Sequence, residues 1–196
     1  MRDWNQSYAT QDLPWDTGVP EPVLVAFVQA GSVAPGRALD IGAGTGTNSR
    51  WLAEHGFEVL GVDIAPRAVE IARAKSPSCR FEVTDFLVAP PAGPFSFVFD
   101  RGCFHLFDDD AERARFAANV ARVLAPDGVW LSLVGSTEGP PRDVGPPRRS
   151  AREVAAAVEP VLALHELSTA HFDGGAAMWR CVAGPRAVPA QPSTRH

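Results

Sequence analysis

The chain has 196 residues, of which 45% are hydrophobic and 21% charged. That is enough for one domain with an ordinary core and leaves little for a second. A net charge of −5 argues against a nucleic-acid partner, which needs a basic face. Three scattered cysteines, Cys79, Cys103 and Cys181, form no CxxC pair, which excludes a disulfide framework and places the protein in a reducing cytoplasm. The polar start, Met1–Arg2–Asp3–Trp4–Asn5, is no signal peptide, and no apolar run approaches the roughly 20 residues that span a bilayer.

In chain order, residues 1–20 are aromatic and polar, with Trp4, Tyr8 and Trp15 among turn formers, and read as an N-terminal cap. Pro20 and Pro22 open a helix over 21–30 that Gly31 ends. A short buried strand at 37–41 runs through a glycine loop into a helix at 46–55. Strand 57–62, helix 66–75, strand 79–84 and strand 95–99 follow. Phe116, Val120, Val123 and Leu124 give 109–124 the period of an amphipathic helix. Pro126–Asp127–Gly128 is a turn before strand 129–134. Residues 136–149 are a loop rich in proline, glycine and arginine, and a short helix spans 150–158. Strands near 161–168 and 176–182 have no helix between them and form an antiparallel hairpin at the sheet edge. Residues 184–196 read as a disordered tail.

The βαβ rhythm, with strands apolar on both faces, predicts an α/β fold: a Rossmann-like, doubly wound, mostly parallel seven-stranded sheet with an antiparallel C-terminal edge hairpin. The organisation expected is a cap and helix over 1–30, one main domain over 31–183, and the tail.

The chemistry concentrates in Asp40–Ile41–Gly42–Ala43–Gly44–Thr45–Gly46, between the first strand and its helix. Alternating glycines let the backbone turn tightly and let a ligand lie on it, at the strand end where open α/β sheets bind ligands. Three ligand classes compete. A phosphate loop needs Gly-Lys-Ser/Thr, whereas Gly46–Thr47–Asn48 has no lysine. A dinucleotide site wants GxGxxG, but Thr47 stands where the third glycine would be, and Asp40 is awkward beside a pyrophosphate. S-adenosylmethionine has no phosphate; it presents a sulfonium, an ammonium and a ribose diol, all suited to carboxylate acceptors. Asp40 suits the ammonium end. Asp63, ending the second strand, suits the ribose hydroxyls. Asp85, ending the third, suits the adenine amino group, with Phe86 or Ile64 on the ring face. Each acid alone competes with a plain helix N-cap; the ordered set points to the ligand.

Together, ALDIGAGTG, VLGVD and VTDF resemble the glycine motif, the acidic second-strand end and the third-strand-end motif of class I S-adenosylmethionine-dependent methyltransferases. The resemblance covers about 37–134. It implies S-adenosyl-L-methionine as cofactor and contacts from Trp15, Asp40, Gly42, Ala43, Gly44, Gly46, Asn48, Asp63, Ile64, Asp85, Phe86 and Arg101. Phe99–Asp100–Arg101–Gly102–Cys103–Phe104–His105, with Trp15 in the cap, is similar to the thiopurine and small-thiol methyltransferases, which implies a small-molecule sulfur acceptor.

Arg101 and His105 are the candidate catalytic residues. Arg101 suits a carboxylate of cofactor or acceptor, against an ion pair with Asp100 or Asp85. His105 suits a general base, against a packed loop histidine. Cys103 reads as a small buried residue rather than a nucleophile. Trp15 suits cover of the sulfonium by cation–π contact, against core packing. Arg142, Arg148 and Arg149 form either a solvated loop face or an anion-attracting lid. His55, His105, His165, His171 and His196 are too scattered to bind a metal.

Overall fold

The computed structural model describes residues 3–140, 147–172 and 175–186. Seven strands make one sheet: β1 (Arg37–Ile41), β2 (Glu58–Asp63), β3 (Arg80–Val83), β4 (Phe95–Arg101), β5 (Leu124–Gly135), β6 (Ala163–His171) and β7 (Ala177–Gly184). Their order is β3-β2-β1-β4-β5-β7-β6. β1 to β5 pair in parallel; β7 runs antiparallel to both β5 and β6. The order reverses direction between β1 and β4, which makes the crevice outside their C-terminal ends the ligand position of such a sheet.

The alternation of side chains explains why β4 is apolar at nearly every position. Phe97 and Phe99 join Leu131, Leu133, Met178 and Val182 on one face, under α2 (Pro22–Gln29), α3 (Thr47–Glu54) and α4 (Pro66–Lys75). Val98 joins Leu39, Trp130 and Val134 on the other, under α5 (Asp110–Val123) and α6 (Ala151–Val158). A strand covered on both faces has no solvent side to make polar.

The expected elements are present, with two differences. β5 begins at Leu124 rather than 129, because its register against β4 breaks between Phe95 and Phe97 and takes Pro126–Asp127–Gly128 into the irregularity. The cap contains a helix, α1 (Trp4–Thr10), whose N-cap Asp3 accepts the Gln6 N–H. Trp4 and Tyr8, four residues apart, share its packed face, a spacing readable in the sequence. Residues 187–196, within the expected tail, lie outside the described residues. No helix among the described residues is long and apolar enough to cross a membrane.

Phe116 on α5 is 1% exposed and touches the rings of Phe86, Phe104, Phe107 and Trp130. Phe116→Ala should cost about 3–5 kcal/mol by urea denaturation; a loss below about 1 kcal/mol would show that this aromatic cluster does not hold α5 to the sheet.

Candidate active site

Parallel pairing sets the strand tips level, with Ile41 opposite both Val62 and Asp100. From Ile41 the chain turns back through the glycine loop, and the Gly42 and Ala43 N–H groups both donate to the Val62 carbonyl, at 2.8 and 3.0 Å. Gly42 and Gly44 have φ of +69° and +56°, where a side chain is strained. Space reinforces conformation: the Cys103 sulfur stands where a Gly42 Cβ would be, and the Tyr8 hydroxyl lies 2.9 Å from a Gly44 Cβ. The loop is bare by necessity: its glycines let the Cys103 and Tyr8 side chains pack directly against its backbone.

Three buried carboxyl groups surround it. Asp63 (8% exposed) accepts the Gly44 N–H at 3.0 Å and the Ala65 N–H at 2.9 Å, fastening the loop to the end of β2. Burial raises its pKa against those hydrogen bonds. Asp40 accepts the Ser49 hydroxyl at 2.6 Å. Burial, only partly relieved by that bond, lifts it to about 7, with Asp63 and Asp100 adding to the rise. Asp100 accepts the Cys103 and Phe104 N–H groups at 3.2 and 3.1 Å and the Trp130 indole N–H at 3.0 Å; burial lifts it to about 6. Asp85, by contrast, is exposed and accepts the Leu87 N–H at 2.9 Å.

The cap is tied to this crevice at several points. Thr45 on the glycine loop donates to Asp16 at 2.7 Å. Asn48 on α3 accepts the Glu21 N–H at 2.9 Å. Asn5 accepts the Arg67 N–H at the start of α4 at 2.9 Å. Arg101, at the tip of β4, donates to Glu21 at 2.5 Å and to the Trp15 carbonyl at 3.2 Å. Its guanidinium also lies 5.2 Å from the Phe172 ring, so the β6–β7 hairpin meets the cap there. Trp15 stands edge-on to Trp4 at 5.5 Å and donates to the Tyr8 hydroxyl at 3.4 Å.

Several sequence expectations change. Arg101 pairs with neither Asp100 nor Asp85 but with Glu21, 80 positions away in sequence and 3% exposed. His105 is not poised as a general base: its Nδ1 accepts the Gly135 N–H at 2.7 Å, which places the ring proton on Nε2 and occupies the basic nitrogen. The residue is 3% exposed. Phe86 turns into the core against Phe116 at 5.0 Å, while Ile64, 49% exposed, stays at the crevice. Cys103 is a half-buried thiol that donates to the Ile41 carbonyl at 3.3 Å, and desolvation holds its pKa well above the ordinary value. Arg149 is neither lid nor solvated face: it is 8% exposed and bonds Asp108 and the Phe107 carbonyl at 2.6 and 2.9 Å. Arg148 donates to the Gly139 and Pro140 carbonyls; Arg142 lies outside the described residues. No group of acids, histidines and cysteines that could hold a metal occurs among the described residues.

Sequence reasoning missed Glu21 and Phe172 and gave no individual role to Tyr8, Asp16 and Thr45. Glu21 had a readable signal, an acid directly before Pro22 at a helix start, where it accepts the Val23 N–H. Phe172 had none.

A doubly wound sheet with a reversed β7 and a bare glycine crook under buried strand-tip acids is the architecture of a class I methyltransferase. The signature of a family described as "Methyltransferase domain" matches residues 38–128. The chain is 33% identical over 151 residues to probable thiol methyltransferase 2 of Arabidopsis thaliana, covering 72% of this chain and 66% of that one. It is 30% identical to thiocyanate methyltransferase 1 of Brassica oleracea, covering 76% and 67%. It is 29% identical to a ubiquinone biosynthesis O-methyltransferase of Xanthomonas campestris, covering 63% and 56%. A solved structure concerning conversion of a disulfide bond into a thioacetal group during echinomycin biosynthesis superposes with a TM-score of 0.77 at 25% identity, covering 90% and 86%. The chain therefore belongs to the class I S-adenosylmethionine-dependent methyltransferases, and its cofactor is S-adenosylmethionine. It spans about two thirds of the length of the plant relatives.

The buried acids give a stability signature. Asp40 holds its proton more tightly folded than unfolded, so its contribution is complete below pH 4 and is lost as pH rises through about 7. The cofactor-free protein should lose on the order of 4 kcal/mol from this group across that window. Asp40→Asn should flatten the slope of unfolding free energy between pH 5 and 7; equal slopes in both proteins would exclude it as the source.

Proposed function

We propose that the protein transfers the methyl group of S-adenosylmethionine to the sulfur of a small thiol or thiopurine-like acceptor. The observation that carries this reading is the state of His105. With its basic nitrogen taken by the Gly135 N–H, and with Cys103 held as a neutral thiol, neither group beside the β4 tip is ready to deprotonate an alcohol or phenol. An acceptor thiol needs no such base, since an ordinary thiol pKa near 8.5 leaves some thiolate at neutral pH. The two plant relatives support the same choice by name. The O-methyltransferase relative favours an oxygen acceptor instead, which makes that the second reading.

In this reading the glycine loop carries the cofactor. Asp40 faces its ammonium end, Asp63 accepts from the ribose, Asp85 from the adenine amino group, and Ile64 covers the ring. Gly42, Ala43, Gly44 and Gly46 supply the bare floor. Trp15, Asn48 and Arg101 act through the cap: Arg101 pins Glu21 and the Trp15 backbone, which sets the Trp15 ring above the crevice. The bound cofactor supplies an electrophilic methyl on a sulfonium, with a neutral thioether as leaving group. The chain has to align the thiolate in line and exclude water. Alignment can lower such a barrier by several kcal/mol, up to roughly 7–11 in ideal cases.

A screen of thiols, phenols and amines with methyl-labelled cofactor should give turnover on thiols, with rates rising with pH as the acceptor ionises. Turnover confined to phenols would remove the sulfur assignment. Asp63→Ala should weaken cofactor affinity by about 1–3 kcal/mol, since it strands the Gly44 and Ala65 N–H groups as well as the ribose. Unchanged affinity by calorimetry would place the ribose elsewhere. Glu21→Gln should shorten cofactor residence about tenfold or more by freeing the cap, an effect of at least about 1.4 kcal/mol; an unaltered dissociation rate would relieve the Glu21–Arg101 pair of that role.

A further inference from the structure

Tyr8 fills space directly over the glycine loop. It reaches in from α1, is 5% exposed, and sets its hydroxyl oxygen 2.9 Å from where a Gly44 Cβ would stand. Its ring packs with Ala65 and Ala68, just beyond the end of β2. Trp15 donates its indole N–H to the hydroxyl at 3.4 Å and meets the ring edge-on at 6.2 Å. Burial, with Asp63 adding to it, raises the Tyr8 pKa, so the group stays a neutral phenol. Thr45, 4% exposed and bonded to Asp16, continues the cover. The other end of the crevice is open: Ile64 is 49% exposed and Asp85 is exposed.

In the placement proposed above, the open end takes the adenine, Asp63 takes the ribose, and Gly44 is the floor beneath the chain that leads to the sulfonium. Tyr8 stands over that floor, and close-packed groups do not share a volume. We propose that Tyr8 is a plug seated in the cofactor site: S-adenosylmethionine docks by its adenine end and completes binding only after α1 lifts Tyr8 off Gly44. This assignment rests on the glycine-loop placement of the cofactor. The cap is built for such a movement. Gln11 ends α1 at φ +58°, a conformation that a side chain rarely adopts, and Gln11 and Asp12 are both exposed. Rotation there lifts α1 while Trp15, Asp16 and Glu21 keep their bonds to Arg101 and Thr45. The Asn5 bond to the Arg67 N–H, which holds α1 on α4, is exposed, and a bond that exchanges with water stabilises little.

Stopped-flow tryptophan fluorescence of the whole protein follows the lifting step, because Trp15 rests on Tyr8. The observed rate should level off as the concentration of S-adenosylmethionine rises. Tyr8→Ala should raise that plateau about tenfold or more without weakening equilibrium affinity. A lower plateau or a weaker affinity in Tyr8→Ala makes Tyr8 a contact of the bound cofactor and overturns the proposal, as does an unchanged plateau. Should Tyr8→Ala not fold, the wild type decides alone. Lifting the plug is a property of the protein, so S-adenosylhomocysteine should reach the same plateau within about twofold. Rates that rise linearly with both ligands, or plateaus further apart, overturn the proposal while leaving the cofactor placement intact. Absence of binding heat with both ligands overturns the placement and the proposal together.

Discussion

Three buried carboxyl groups at the tips of β1, β2 and β4, each held by neutral donors, are the constraint on which the rest of the site depends. Burying a carboxyl is expensive unless its partners are charged or numerous, and here they are neutral and, for Asp40, supplied by Ser49. The fold tolerates that cost because the acids are spread over three strands and each is anchored. Asp63 secures the glycine loop, and Asp100 organises the turn that carries Phe104 and His105.

The cap meets a different requirement. Its polar ties run to the glycine loop, α3, α4 and the tip of β4, one to each wall of the crevice. The Glu21–Arg101 pair is the most buried of them. Such a pair gains little net stability over an apolar one, since desolvation offsets attraction; its value lies in fixing a geometry. Arg101 serves as the meeting point of cap, sheet and hairpin, with Glu21, the Trp15 carbonyl and the Phe172 ring around one guanidinium.

The turn after β4 commits the polar groups around it. Asp100 spends both oxygens on backbone and indole donors, and His105 spends its basic nitrogen on β5. Groups that look catalytic in the sequence are absorbed into holding the β4 turn.

The sequence by itself determined the sheet, its helices and the cofactor loop. β1 and α4 fall where their periodicity puts them, and the reversed hairpin follows from two strands with no helix between them. Glycine spacing and strand-end acids are local features whose physics acts within a few residues of chain. The partners of Arg101, His105 and Phe86 were decided only by tertiary structure. Glu21, Gly135 and Phe116 lie 80, 30 and 30 positions away in sequence, and a side chain's role depends on which distant donor, acceptor or ring packing delivers to it. Burial likewise turned Asp40 from a plain strand-end acid into one that holds a proton near neutrality, because desolvation is a property of the whole surrounding shell.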